Sequence, residues 1–157
     1  MEELNNNGYK RFNILEPDVE ELIRKANVLI NKEIRSIELQ KSNPSIKLGK
    51  YVDRLLSHNK NREFYNKTNI SAKEVLELAS LITTKHFCHY EIDSARRNEK
   101  MYCFKLPSNI NGEDFESDIL VKFKFRPKED VPGQLFLMSF HFPDSNKEPW
   151  KYLYNDE

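Results

Sequence analysis

A chain of 157 residues is long enough for one ordinary domain, or for a domain with a helical extension. Lys plus Arg equals Asp plus Glu at 25 each, so net charge does not point to nucleic acid, and any such role must come from how charge is distributed. Aromatic content of 11 % excludes a disordered chain, and two cysteines, Cys88 and Cys103, are too few for a disulfide scaffold or a Cys-rich zinc module.

Residues 1–16 read as a flexible lead-in. Their acidic, polar start is unlike a signal peptide, and Tyr9, Phe12, Ile14 and Leu15 are available to pin the segment down. No apolar run is long enough to span a membrane, and the cysteines read as reduced thiols, so the expected location is cytoplasmic. No glycine-rich phosphate-binding motif is present. Pro17 suits the first turn of a helix, with Asp18, Glu20 and Glu21 at its positive dipole end. Val19, Leu22, Ile23, Ala26, Ile30, Ile34 and Ile37 then recur at helical spacing, which predicts a helix over 17–41 that ends at Ser42-Asn43-Pro44. Its stripe is either a face buried on the domain or an arm that docks on a partner.

Leu48, Tyr51, Val52, Leu55 and Leu56 mark a second, shorter helix, and 58–62 read as a polar break. Phe64-Tyr65 is available to pack back on the domain. Ser71-x-x-Glu74 is a capping box that opens a third helix with the stripe Val75, Leu78, Ala79 and Ile82, ending near Thr84. Residues 86–93 fit a short strand or the end of that helix, and 94–100 read as a connection. Three alternating runs follow at 101–106, 118–126 and 134–142. Asn111-Gly112 suits a hairpin turn between the first two, and 127–133 suits a turn between the last two. Trp150, Tyr152 and Tyr154 form an aromatic tail that would cover a sheet edge. Helices followed by a twisted antiparallel sheet indicate an α+β fold, with 1–68 as an N-terminal helical extension packed on a sheet domain over 69–157.

Alternation sorts side chains onto two faces of a sheet. Ile119, Val121, Phe123 and Phe125 fall on one face of the middle strand, and Leu120, Lys122, Lys124 and Arg126 on the other. In the last strand Phe136, Met138, Phe140 and Phe142 oppose Leu135, Leu137, Ser139 and His141. In the first, Tyr102, Phe104 and Leu106 oppose Met101, Cys103 and Lys105. If register aligns the aromatic rows, the sheet has a Phe-rich back and a basic, histidine-bearing front.

Such a front has the parts for cleaving RNA. The reaction needs a 2′-hydroxyl deprotonated, charge on the phosphate stabilised and the leaving oxygen protonated. His141 and His89 are the expected acid and base, and Lys122 the expected phosphate-stabilising catalytic group. Arg96, Arg97, Lys100, Lys105, Lys124 and Arg126 are expected to bind the RNA backbone. Solvated strand lysines and a surface histidine account for the same pattern without chemistry. His86, Cys88 and His89 form a further cluster that His141 or Cys103 would complete as a zinc site, but no second spaced pair exists. A Cys–His nucleophile pair through Cys88 or Cys103 competes with buried, inert thiols. Asp114, Glu116 and Asp118 make an acidic loop without the periodicity of a calcium loop.

His86-Phe87-Cys88-His89, Tyr102-Cys103-Phe104-Lys105-Leu106, Asp118-Ile119-Leu120-Val121-Lys122 and Leu137-Met138-Ser139-Phe140-His141, after a helix, resemble the C-terminal half of MqsR-type toxins. The likeness covers 69–142. It implies a RelE-like, barnase-related sheet and a metal-independent, cofactor-free ribonuclease acting on messenger RNA, including ribosome-bound RNA. It also implies an antitoxin partner, for which the 17–41 helix is the expected docking element. The family's functional Lys, Gln, Tyr and Lys fall on His89, Lys100, Leu120 and His141. Lys to His keeps a charge or a proton-transfer role, whereas Tyr to Leu loses a hydroxyl. The competing reading is a non-enzymatic interaction protein, such as an inhibitor, an antitoxin-like partner or a phage- or plasmid-encoded regulator.

Overall fold

Helix α1, Glu16–Leu39, carries Glu16 and Asp18 in its first turn, where the helix dipole favours acids. Its stripe of Val19, Leu22, Ile23, Ala26 and Ile30 is buried in the main core, with Leu29, Ile34 and Ile37 packed against that core. A computed structural model describes residues 2–4, 10–39, 49–56, 58–93, 95, 99–126 and 133–154 of the chain. Among them no helix is long and apolar enough to cross a membrane.

The fold is α+β. Strands β1 (Glu2–Leu4), β2 (Lys10–Phe12), β3 (Val52–Arg54), β4 (Phe87–Asp93) and β5 (Glu99–Leu106) join two later strands in one sheet. A small hairpin, β6 (Asn109–Ile110) and β7 (Glu113–Asp114), precedes β8 (Ile119–Arg126) and β9 (Gln134–His141). The seven-stranded order is β1-β2-β4-β5-β8-β9-β3. All its neighbours are antiparallel except β3, which lies parallel to β9. The hairpin turn is where Asn111-Gly112 predicts it. Both residues have positive φ, 51° and 82°, as a two-residue turn of the primed type requires.

Three local readings of the sequence are corrected. Residues 52–54, expected in a helix, form β3. They pair in parallel with Leu135–Leu137 of β9, and the Glu33 carboxylate accepts the Tyr51 and Val52 N–H groups at 2.7 and 2.8 Å. Residues 58–62, expected as a solvated break, open helix α2, Asn59–Thr68, with His58 as its N-cap. Helix α3, Ala72–Ala79, starts on the predicted Ser71–Glu74 capping box but stops before Thr84, where a 3₁₀ turn over Thr84–His86 leads into β4. The first 68 residues are therefore more than a helical extension, because β2 and β3 add to both sides of the sheet.

Two bulges decide which side chains face the core. In β4 the register skips Cys88 between Phe87 and His89. In β9 it skips Met138, since Ser139 pairs with Lys122 but Leu137 pairs with Phe123. An extra residue reverses the alternation beyond it. Leu135, Leu137 and Phe140 thus all join Phe104, Val121 and Phe123 in the core, and Phe136 turns to the front opposite Lys124. Strict alternation had placed Phe136 with Phe140. Each fully buried Phe or Leu of this back face contributes about 1.5–3 kcal/mol of transfer free energy.

The aromatic tail does reach the sheet. The Arg11 guanidinium donates to the Glu148 and Pro149 carbonyls, each at 3.1 Å. The Tyr152 hydroxyl donates to the Lys105 carbonyl at 3.0 Å, the Leu153 N–H donates to the Phe87 carbonyl at 3.0 Å, and the Tyr154 hydroxyl donates to the Ile14 carbonyl. The tail therefore passes from the front face around the β2–β4 side of the sheet.

Candidate active site on the sheet front

The front face divides into a closed half and an open half. In the closed half the Lys124 ammonium is 4 % exposed and lies between Asp93 Oδ2 at 3.3 Å and Glu99 Oε1 at 2.6 Å. Burial with two carboxylates removes Lys124 from the expected RNA-binding set. The Arg126 guanidinium lies 3.6 Å from the centre of the Phe136 ring, at the same end. Lys100 extends over the Tyr90 ring at 5.1 Å, on the side of the sheet away from His141. Arg96 and Arg97 lie outside the described residues.

The open half is a cleft of about 750 Å³. Leu120, Lys122, Ser139 and His141 form its floor, Arg11, Lys105 and Trp150 one wall, and His58, Lys60 and Asp144 the other. Of the residues singled out from sequence, His141, Lys122 and Lys105 meet here. His58 joins them from the N-cap of α2. The His58 and His141 rings lie almost parallel, 9° apart, with centres separated by 5.9 Å.

The partners of the two rings assign their tautomers. His141 Nδ1 lies 2.7 Å from the Phe142 carbonyl, so it carries the proton and leaves Nε2 with an open lone pair. His58 Nδ1 accepts the Lys60 N–H at 3.2 Å, so the neutral ring carries its proton on Nε2. One imidazole is thus set as a proton acceptor and its neighbour as a donor. Burial lowers both pKa values from the usual imidazole range. The hydrogen bond to Phe142 opposes this at His141, while His58, Lys122 and Lys60 reinforce it; Lys122, Lys147 and Lys60 reinforce it at His58.

Behind the cleft floor runs a buried polar row. His89 Nε2 lies 3.1 Å from Glu91 Oε2, and the Lys122 ammonium donates to Glu91 Oε1 at 2.8 Å. Burial pushes the Glu91 carboxyl up, but the His89 hydrogen bond and the Lys122 charge outweigh it and hold the group down at about 2. Trp150 stands edge-on to His89, with ring centres 5.3 Å apart, and Lys122 lies 5.9 Å from the Trp150 ring centre. His89 is 4 % exposed, sealed by these contacts, and does not open onto the cleft. It is His58, from the other wall, that lies beside His141.

Among the described residues, ligand atoms of His89, Glu91 and Cys103 converge within 4.8 Å of one another. Both Glu91 oxygens are already engaged there, by His89 and by Lys122. Burial holds the Cys103 thiol well above its ordinary pKa, away from the thiolate that binds metal. His86 instead accepts the Thr83 N–H through Nδ1 at 3.0 Å, and among the described residues it does not converge with His89 and His141, so the alternative zinc reading through these histidines is not assembled. Cys88 is pushed up to about 12 by burial, against the pull of Lys105, which makes it an inert thiol rather than a nucleophile. Glu116 pairs with Lys67 at 2.6 Å, Asp118 lines the cleft, and Asp114 is exposed in the β6–β7 hairpin.

Sequence reasoning missed His58 and Arg11. His58 sits in a polar run with no periodicity, and only the fold of α2 against β9 brings it beside His141. No family model, no curated protein and no solved structure matches the chain.

Proposed function

We propose that the chain is a metal-independent RNA endonuclease whose site is the cleft between His58, His141 and Trp150. The observation that carries this reading is the complementary pair of imidazoles beside Lys122. His141 Nε2 takes the proton of a ribose 2′-hydroxyl. The 2′-oxygen attacks the adjacent phosphorus, and the bond to the 5′-oxygen breaks. His58 Nε2–H hydrogen-bonds the departing 5′-oxygen, which takes the proton that His141 has accepted, giving a 2′,3′-cyclic phosphate and a 5′-hydroxyl. Lys122 stabilises charge on the phosphoryl oxygens, with Lys105 and Arg11 along the same wall. Messenger RNA as substrate, and a toxin role held in check by a protein antitoxin, follow from the MqsR-type resemblance.

The test is purified protein with defined RNA and with translating ribosomes, in EDTA. The expected result is cleavage to cyclic-phosphate ends that falls about 10²–10⁴-fold in His141→Ala and in His58→Ala. No cleavage of either substrate, or full activity in both variants, overturns the reading.

A further inference from the structure

Among the described residues, three buried side-chain polar atoms lack a hydrogen-bond partner: Arg11 Nε, Glu33 Oε2 and Arg54 Nη1. Two of them, on Glu33 and Arg54, belong to residues lining one cavity of about 240 Å³ between α1, β3 and α3. Glu33 is 1 % exposed. Its Oε1 is occupied by the Tyr51 and Val52 N–H groups, which leaves Oε2 open. The Arg54 guanidinium is held at 4.9 Å over the Tyr65 ring. Aliphatic side chains complete the wall, among them Val52, Val75, Leu76 and Leu137.

We propose that this cavity binds a small aliphatic amino acid, with its ammonium on Glu33, its carboxylate on Arg54 and its side chain against the apolar wall. A buried acceptor and a buried donor left open beside one apolar space are each costly, and a ligand that satisfies both removes both costs. A bare alkylamine leaves the Arg54 donor unmet. A bare carboxylic acid leaves Glu33 unmet and brings a like charge beside it. Water meets the polar atoms but wets the apolar wall, in a space that holds several waters at about 30 Å³ each. Only a zwitterion with a branched aliphatic body matches all three surfaces. The cavity lies on the core side of β9, apart from the cleft, so the proposal does not rest on the nuclease reading.

The experiment is calorimetric and thermal-shift titration of the full chain with L-leucine, L-isoleucine and L-valine, beside isoamylamine and isovalerate. The expected result is saturable binding and a raised melting temperature with at least one of the amino acids, with the two half-analogues about tenfold weaker or more. Glu33→Gln keeps an oxygen for the Tyr51 and Val52 amides while removing the charge, and Arg54→Met keeps the stem over Tyr65. Each is expected to weaken binding about tenfold or more; if Glu33→Gln fails to fold, Arg54→Met decides. No saturable binding of any of the three amino acids, binding of a half-analogue as tight as theirs, or unchanged affinity in Arg54→Met overturns the proposal.

Discussion

The side-chain amide of Asn61 donates to the Met138 carbonyl at 2.8 Å, and the Phe140 N–H donates back to Asn61 Oδ1 at 2.9 Å. Strand β3 ends at Arg54, and one more ladder bond follows, from the Leu55 N–H to the Leu137 carbonyl at 2.9 Å. Beyond it, among the described residues, β9 has no strand partner on that side. The Asn61 side chain supplies the donor and acceptor that a peptide group would have supplied, and its amide also donates to the Leu55 carbonyl at 2.9 Å. Met138 is the bulged residue of β9. Asn61 therefore holds the irregularity that puts Leu135 and Leu137 in the core while Ser139 and His141 face the cleft.

Replacing Asn61 by Ala or Leu is expected to destabilise the fold by about 2–4 kcal/mol. Asn61 is 0 % exposed, and its loss leaves a buried N–H and two part-buried carbonyls short of partners. Asn61→Asp should cost a comparable amount, because it keeps an acceptor for Phe140 but sets a carboxylate against the Leu55 and Met138 carbonyls. Urea midpoints of the three variants against the parent chain measure this. A shift below about 0.5 kcal/mol in all three would show that the bulge stands without Asn61.

What was legible in the residues was whatever depends on neighbours in the chain. The α1 stripe, the Ser71–Glu74 capping box and the Asn111-Gly112 turn act over a few residues, and each lies where its pattern puts it. The α+β class and the basic front of β8 also followed from local alternation. The misreadings share a different physics. β3 is three residues long and is defined by β9, some eighty positions later. α2 buries only Asn61 and Phe64, so it has no apolar stripe to detect. The bulges at Cys88 and Met138 leave no compositional mark, yet they reset the faces and brought Phe136 forward. His58 was invisible as a site residue for the same reason, since its partner His141 is reached through the docking of α2 on β9.

Lys122 and Lys124 occupy adjacent front positions of β8, both pair with carboxylates, and are expected to differ in their effect on cleavage. Lys124→Ala strands Asp93 and Glu99 beside a buried space and should cost about 1–3 kcal/mol of stability, with the cleavage rate constant little changed. Lys122→Ala also takes a partner from the buried Glu91 and should cost a comparable amount of stability, but in addition it should lower that rate constant about a hundredfold, because Lys122 lines the proposed site. Denaturation curves and single-turnover RNA cleavage on both variants separate the two roles. Equal activity losses in the two would place the substrate on the closed half of the sheet instead.

All four histidines, His58, His86, His89 and His141, are pulled below the ordinary imidazole pKa, in each case first of all by burial. As pH falls below about 6.5, the unfolded chain takes up protons that the folded chain refuses. Stability should therefore be full above that pH and drop as pH falls through 6.5 toward the lowered values. Glu91 acts in a separate window. Its carboxyl lies at about 2 against an ordinary 4.5, so its contribution is present above 4.5 and is lost as pH falls toward 2. Urea midpoints at pH 7.5, 6.5 and 5.5 are expected to fall in that order, and a flat profile would mean that the rings charge in place. His89→Gln should flatten part of the slope.

Trp150 is the only tryptophan in the chain, and it forms a wall of the cleft. Its carbonyl accepts the Lys105 ammonium at 2.8 Å, and its ring stands against His89. Intrinsic fluorescence selected for tryptophan therefore reports on this one place. Bases that stack on an aromatic wall typically contribute about 1–3 kcal/mol each, so RNA entering the cleft should change the Trp150 emission. Titration of His141→Ala with a short RNA, which binds without turnover, is expected to quench it saturably, with an affinity that weakens as salt rises. Lys105→Ala should weaken that binding by loosening the wall and removing a charge. Lys67→Ala, on the far exposed pair with Glu116, should leave it unchanged. Quenching that is absent, or equally affected by both substitutions, would move the RNA-binding surface away from the tail and off the sheet front.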